Sequence, residues 1–177
     1  MIKGKLTSLR AIEKNDLSQL LSWRNQPELR RFFREYRELN YEQQLSWFDQ
    51  KVNNDLGTKM FSIFDNQGNL LGAAGLCYID WVNRTSDFSI YIGWKGLYID
   101  RVFAPDAART MIKYAFEELG LNRLWSEIYN FDHAKVSFFN DLGFKLDGKH
   151  RQTHWAENSW HDSLIFSLLA SDSQPCN

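Results

Sequence analysis

A change in hydrophobic period constrains the fold of this chain most. Up to about residue 52 the apolar residues recur at helical spacing; from Met60 onward short alternating runs take over. Phe88, Ile90 and Ile92 alternate with Asp87, Ser89 and Tyr91, which predicts a strand with two unlike faces. Pro105 to Leu119 follows helical spacing and stops at Gly120, a residue suited to the left-handed position after a helix. Arg123 to Asn130 is strand-like again. Strand, helix and strand in that order make a βαβ unit across residues 88–130, which calls for a sheet with helices on its faces.

The remaining elements follow from local signals. Residues 5–12 read as a first strand, Asn15 as the cap of a short helix carrying Leu17, Leu20 and Leu21, and Pro27 as the start of a second helix. Asn40 and Gln43 form a capping box for a helix to about Val52, with Leu45, Phe48 and Val52 on one face. Met60 to Asp65, the turn Asn66-Gln67-Gly68 and Leu70 to Tyr78 make a hairpin, and Asp80 to Thr85 a polar turn. Asp132 caps a helix that runs to about Leu142 and ends at Gly143; Phe144 to Lys149 and Ser163 to Leu169 finish as strands. The order β-α-α-α-β-β-β-α-β-α-β-β implies an α/β fold with a central mixed sheet flanked by helices.

With 177 residues, 44% of them hydrophobic, the chain suits one domain over residues 1–170 and a flexible polar tail over 171–177. A net charge of −1 offers no nucleic-acid surface, and Arg30, Arg31, Arg34 and Arg37 alternate with Glu28, Glu35 and Glu38 as on a solvated helical face. Thirteen Phe, 7 Tyr and 7 Trp suit half-buried strands, a ring-lined groove, or both. Cys77 and Cys176 give no disulfide framework, and no apolar run reaches membrane-spanning length, so the expected compartment is the cytoplasm. The four histidines show no metal-ligand spacing, and no metal or covalent acyl-enzyme is expected.

Six pieces in one order resemble the GNAT superfamily of acetyltransferases. The branch in question holds ribosomal-protein N-terminal and nucleotide-amino-sugar acetyltransferases. Trp23-Arg24-Asn25 with Pro27-Glu28 is similar to its W-R-N-x-P-E element, and Tyr41 to Phe48 to its E-x-x-x-W-F helix. Gly72 to Leu76 with Ile79-Asp80 and Asn83-Arg84 resembles its hairpin and I-D-x-x-N-R turn, and Asp87 to Gly93 its cofactor strand. Tyr114 to Arg123 is the most specific stretch, and Leu142-Gly143-Phe144 ends the next helix in the family's manner.

The resemblance implies a GNAT-type twisted, mostly antiparallel sheet and direct transfer of an acetyl group from acetyl-CoA to a primary amine. The acceptor would be a small molecule, an amino sugar or a protein N-terminus, and the protein a monomer or homodimer. It implies cofactor contacts from the backbone of Ser89, Ile90, Tyr91 and Ile92, from Arg101, from the N–H groups of Phe103, Ala104, Asp106 and Ala107, and from Asn130. Acceptor contacts would come from Trp23, Arg24, Asn25 and Asp80; a packed Trp and a helix-capping Asn are the plainer roles there, as an ordinary turn residue is for Asn130. Asp87 and Glu127 are the candidate bases; a turn residue and a cross-strand ion pair are the plainer roles open to them. Two departures stand out. Ile99 to Ala104 replaces the family's R/Q-x-x-G-x-G/A loop, with Val102 in place of its first glycine, and Phe139 stands where many members carry a proton-donating tyrosine. A non-catalytic module binding CoA, a metabolite or a partner protein is the alternative these departures leave open.

Overall fold

The computed structural model describes residues 1–173; Cys176 and residues 174–177 of the expected tail lie outside them. Strands β1 (Ile2–Lys3) and β2 (Thr7–Ala11) lead into helices α1 (Leu17–Asn25), α2 (Pro27–Arg30) and α3 (Tyr41–Trp47). Then come β3 (Lys59–Asp65), β4 (Leu70–Asp80), β5 (Thr85–Ile92), α4 (Phe103–Lys113), β6 (Arg123–Tyr129), α5 (His133–Asp141), β7 (Lys145–Ala156) and β8 (Ser159–Leu169). α3 and α4 each widen at the C-terminal end into one π-helical stretch, Phe48–Asn53 and Tyr114–Glu118.

The strands form one eight-stranded sheet in the order β1-β2-β3-β4-β5-β6-β8-β7. Every neighbouring pair is antiparallel except β5 with β6, the two ends of the βαβ unit. Apolar layers cover both faces. On one, Ile90 and Ile92 of β5 meet Ala104, Ala107, Ala108 and Met111 of α4 and Phe138 and Phe139 of α5. On the other, Tyr91 of the same strand packs with Leu17, Leu20 and Trp23 of α1, Leu29 of α2 and Phe48. The alternation read in residues 87–92 therefore marks two different cores, not one core and one wet face. Gly93 follows because the Trp23 ring lies against its Cα, where a methyl group would overlap the indole.

Local signals mostly act as anticipated. The Asn40–Gln43 capping box forms with both hydrogen bonds at 2.9 Å, and Asp132 accepts from the Lys135 N–H at 3.1 Å. Gly120 sits at φ +65°, as the end of a helix requires.

Four expectations need correction. Before α1 the organising residue is the buried Asp16, not Asn15: its carboxylate accepts from the Glu13 N–H at 3.0 Å, Ser62 Oγ at 2.7 Å and Arg10. α4 starts at Phe103, so Pro105 is third in the helix, still within the turn whose N–H groups have no helical acceptor. The last two strands run past Lys149 and start before Ser163, residues 150–162 extending β7 and β8 into a long hairpin closed at Glu157 (φ 51°) and Asn158 (φ 58°). Ala170–Asp172 form a 3-10 turn in which Asp172 accepts from Lys145 Nζ at 2.6 Å, so this stretch of the expected tail is tied to β7. Among the described residues, no helix is long and apolar enough to cross a membrane.

Candidate active site

The sheet opens where its direction changes. β5 and β6 pair only through Thr85–Asp87 against Arg123–Trp125; beyond that, Phe88–Ile92 and Ser126–Tyr129 are not paired to each other. Each strand keeps its other neighbour, β4 and β8. N–H direction alternates along a strand. The Gly93 N–H donates back toward β4, to Leu71 O at 2.9 Å, whereas the Ile92 N–H donates to Tyr98 O at 2.7 Å. Ile90 shares the orientation of Ile92, so its N–H points into the fork, while those of Ser89 and Tyr91 point toward β4. Of the four residues expected to offer backbone donors, Ile90 is the one so directed without the Tyr98 contact.

A cavity of about 250 Å³ lies at this fork, lined among others by Arg24, Arg34, Asp87, Ser89, Ser126, Glu127 and Lys135. Asp87 is 2% exposed, and its Oδ2 accepts from Arg34 Nη1 at 2.6 Å. Arg34 Nε stands 3.5 Å from Glu127 Oε2, so one guanidinium bridges both candidate bases and lies over the Trp125 ring. Asp87 Oδ1 is buried without a hydrogen-bond partner. Burial raises the Asp87 carboxyl above its ordinary value even though Arg34 pulls the other way. Burial also works against the charge on Arg34, but Asp87 and Glu127 outweigh it and hold the guanidinium above its usual value.

Lys135, in the first turn of α5, is 8% exposed; burial lowers its ammonium from the usual lysine value, against the pull of Asp132 and Asp87. Cys77 lines the same cavity, and burial pushes its thiol up to about 12, which leaves no thiolate nucleophile at neutral pH.

The N-terminus of α4 and one side of α5 border a second cavity of about 540 Å³, with Arg101, Pro105, Arg109, Ser137 and Asp141 among its walls. The backbone donors expected there for a diphosphate are already engaged. Asp100 Oδ2 accepts from the Val102 and Phe103 N–H groups and Oδ1 from that of Ala104, each at 2.8 Å. Pro105 has no N–H, and those of Asp106 and Ala107 enter the helical ladder. The Asp106 carboxylate turns away, accepting from the Lys5, Leu6 and Thr7 N–H groups at 3.0, 2.9 and 2.9 Å and from Thr7 Oγ1 at 2.7 Å. Arg101 is exposed at the cavity wall.

The other sequence-derived candidates divide. Arg24 lines the fork cavity. Trp23 is a core residue under Gly93, and Asn25 clamps the backbone of Leu39, donating to its carbonyl at 2.8 Å and accepting from its N–H at 3.0 Å. Asp80 accepts from the Val82 and Asn83 N–H groups, each at 2.9 Å, and so organises the β4–β5 turn. Asn130 is exposed beyond β6, its N–H donating to Asp162 O at 3.0 Å. Phe139 is fully buried against Phe88 and Phe144 and has no proton to give.

Sequence reasoning missed three groups. Arg34 belongs to no helical face, because α2 ends at Arg30 and residues 31–40 are irregular; Arg31 instead pairs with Glu157 at 2.6 Å. Lys135 was detectable only by its spacing from Phe138 and Phe139, which puts it on the inward face of α5. Tyr98 is buried, stacks on Phe32 at 4.6 Å between centroids and donates its hydroxyl proton to Asp132, and no local pattern announces it.

A mixed sheet forked at its single parallel pair, with a buried carboxylate at the fork, defines an α/β fold with an opening between two strands. Residues 7–145 match the sequence profile of the Acetyltransferase (GNAT) domain. The chain belongs to this family of acyltransferases, enzymes that use acetyl-CoA as the acetyl donor. It is 22% identical over 164 residues to the spermidine N(1)-acetyltransferase of Vibrio cholerae serotype O1, covering 93% of each chain. It is 23% identical over 145 residues to the acetyltransferase PseH of Campylobacter jejuni, covering 80% of this chain and 85% of that one. A crystal structure of spermidine N-acetyltransferase from Vibrio cholerae in complex with CoA and spermine superposes with a TM-score of 0.85 at 20% identity, over 94% of this chain and 97% of the other.

Proposed function

We propose that the protein moves the acetyl group of acetyl-CoA to a primary amine of a small molecule or protein terminus, by direct attack at the β5–β6 fork. The observation that carries this reading is the buried Asp87 carboxylate standing where the parallel ladder stops, with Oδ1 unpartnered and the Ile90 N–H directed into the opening. The acceptor nitrogen bonds to the thioester carbonyl carbon, the carbonyl oxygen takes up the electron pair, and the tetrahedral species collapses with loss of the C–S bond. In this reading the Ile90 N–H stabilises the oxyanion. Asp87 Oδ1 receives the proton shed by the amine, directly or through water. Arg34 holds Asp87 and Glu127 in place. With Phe139 unable to donate, the thiolate takes its proton from solvent; its reference value of ~8.5 makes it a tolerable leaving group.

The diphosphate of the donor lies at the α4 N-terminus, where Arg101 supplies a charged partner and Asp100 must yield its three N–H groups. Arg24 is the acceptor-side residue of the Trp23-Arg24-Asn25 element. Its neighbours act through packing and backbone clamping, and Asp80, Asn130 and the Asp106 side chain are structural. The test is thiol release from acetyl-CoA across a panel of amines, with acetyl-CoA binding followed by calorimetry. Amine-dependent release supports transfer. Binding without release from any amine points to a binding module, and no binding at high micromolar acetyl-CoA refutes the proposal.

A further inference from the structure

The charges lining the fork cavity come from Arg24, Arg34 and Lys135 on one side of the balance and Glu35, Asp87 and Glu127 on the other. Each carboxylate already has a guanidinium. Arg34 serves Asp87 and Glu127, and Arg37 serves Glu35 through bonds of 2.8 and 2.6 Å. Arg24 and Lys135 have no such partner. The Arg24 Nε is buried with no hydrogen bond, and its guanidinium lies over the Phe33 ring at 5.4 Å from the centroid. The Lys135 side chain is more than nine-tenths buried, and among the described residues its Nζ makes no hydrogen bond or ion pair; its contact is with the face of Tyr98 at 5.7 Å. Both groups have acids in the neighbourhood but none in hydrogen-bonding contact, and an anion brought by a ligand would supply the missing acceptor. Phe32, Phe33, Trp47 and Met60 add apolar wall, and about 250 Å³ suits a compact molecule.

We infer that the acceptor carries, besides its amine, an anionic group that Arg24 receives, a carboxylate or a phosphate monoester on a compact and partly apolar body. Lys135 is a second cation on the same cavity without a hydrogen-bonded acid. The inference rests on the acetyl-transfer reading and specifies its substrate class. It sets this chain apart from an enzyme for polyamines, which carry no anion for Arg24 to receive.

The experiment compares thiol release at saturating acetyl-CoA for paired acceptors: L-phenylalanine with 2-phenylethylamine, O-phosphoethanolamine with ethanolamine, and spermidine alone. The anionic member of at least one pair should show a kcat/KM at least tenfold above its neutral partner and above spermidine, and the responding pair identifies the anion. Arg24→Gln should bring that ratio toward one through KM; Lys135→Met gives the same readout should Arg24→Gln fail to fold. Preference for the neutral amines or spermidine, or a ratio untouched by both substitutions, overturns the inference. So does the absence of transfer to all five amines while acetyl-CoA binds. Failure to bind acetyl-CoA overturns the underlying reading instead.

Discussion

Replacing Asp87 by Asn tests the chemistry at the fork, and its size depends on the acceptor. An alkyl amine with a reference value near ~10.4 is about 0.04% neutral at pH 7, a deprotonation cost of roughly 4–5 kcal/mol; an α-amine near ~7.7 costs about 1 kcal/mol. A carboxylate that takes the proton in the transition state accelerates such a step by about 10²–10⁴-fold. Asn keeps the shape of Asp87 and an oxygen for Arg34, which stands 2.6 Å away and also has Glu127 at 3.5 Å. With the Arg34 side chain 40% exposed, the fold should lose only about 1 kcal/mol. At saturating acetyl-CoA and pH 7, turnover of an alkyl amine should therefore fall by about 10²-fold or more, with the acetyl-CoA Kd within twofold of wild type. The deficit should shrink about tenfold per pH unit once the amine deprotonates unaided and nearly vanish by pH 10. The assay is thiol release against pH for both proteins. An undiminished rate at pH 7, or a deficit of the same size at pH 7 and pH 10, refutes Asp87 as the base.

Other outcomes follow from single contacts. Asp106→Ala removes the acceptor for three N–H groups and one hydroxyl of residues 5–7 and should cost roughly 2 kcal/mol in urea unfolding. Burial acts to raise the Asp106 carboxyl, but these bonds prevail and hold it below 3.8 in the folded state. Its contribution is therefore full above the unfolded value and fades as pH falls through the lower folded one, so the difference between the proteins should narrow below about pH 4. Gly93→Ala forces a methyl group into the Trp23 ring and should lower Tm, with a cost of about 1–3 kcal/mol by calorimetry. Asp100→Asn removes the negative charge that occupies the α4 N-terminus and should tighten acetyl-CoA binding by about tenfold, roughly 1–2 kcal/mol; an unchanged or weaker Kd contradicts that role.

The fold was legible in the sequence because its elements announce themselves locally. The Asn40–Gln43 box, Gly120, Asp132 and the alternation across residues 87–92 each need only near neighbours to act, and all four behave as read. What escaped depends on distant partners. The far half of the β7–β8 hairpin is mostly exposed, so it carries no apolar alternation, and it is held by cross-strand pairing that a single segment does not reveal. At the site, Asp87 and Glu127 stand on adjacent strands and share Arg34, whose guanidinium comes from 53 positions upstream of Asp87, in an irregular loop. The role of Asp100 has no local signature either: a glycine loop admits an anion from outside, whereas this chain carries an anion of its own at that place.

The central claim, that acetyl-CoA lies along β5 in the fork and delivers its acetyl group beside Asp87, is tested most directly by a crystal structure with CoA bound. The pantetheine arm should lie between β5 and β6 with its sulfur beside the Ile90 N–H, in the cavity shared with Asp87 and Lys135, and the diphosphate at the α4 N-terminus with Asp100 turned out. CoA bound elsewhere on the surface, or a fork closed by Arg34 while Asp100 keeps its three N–H groups, would contradict it.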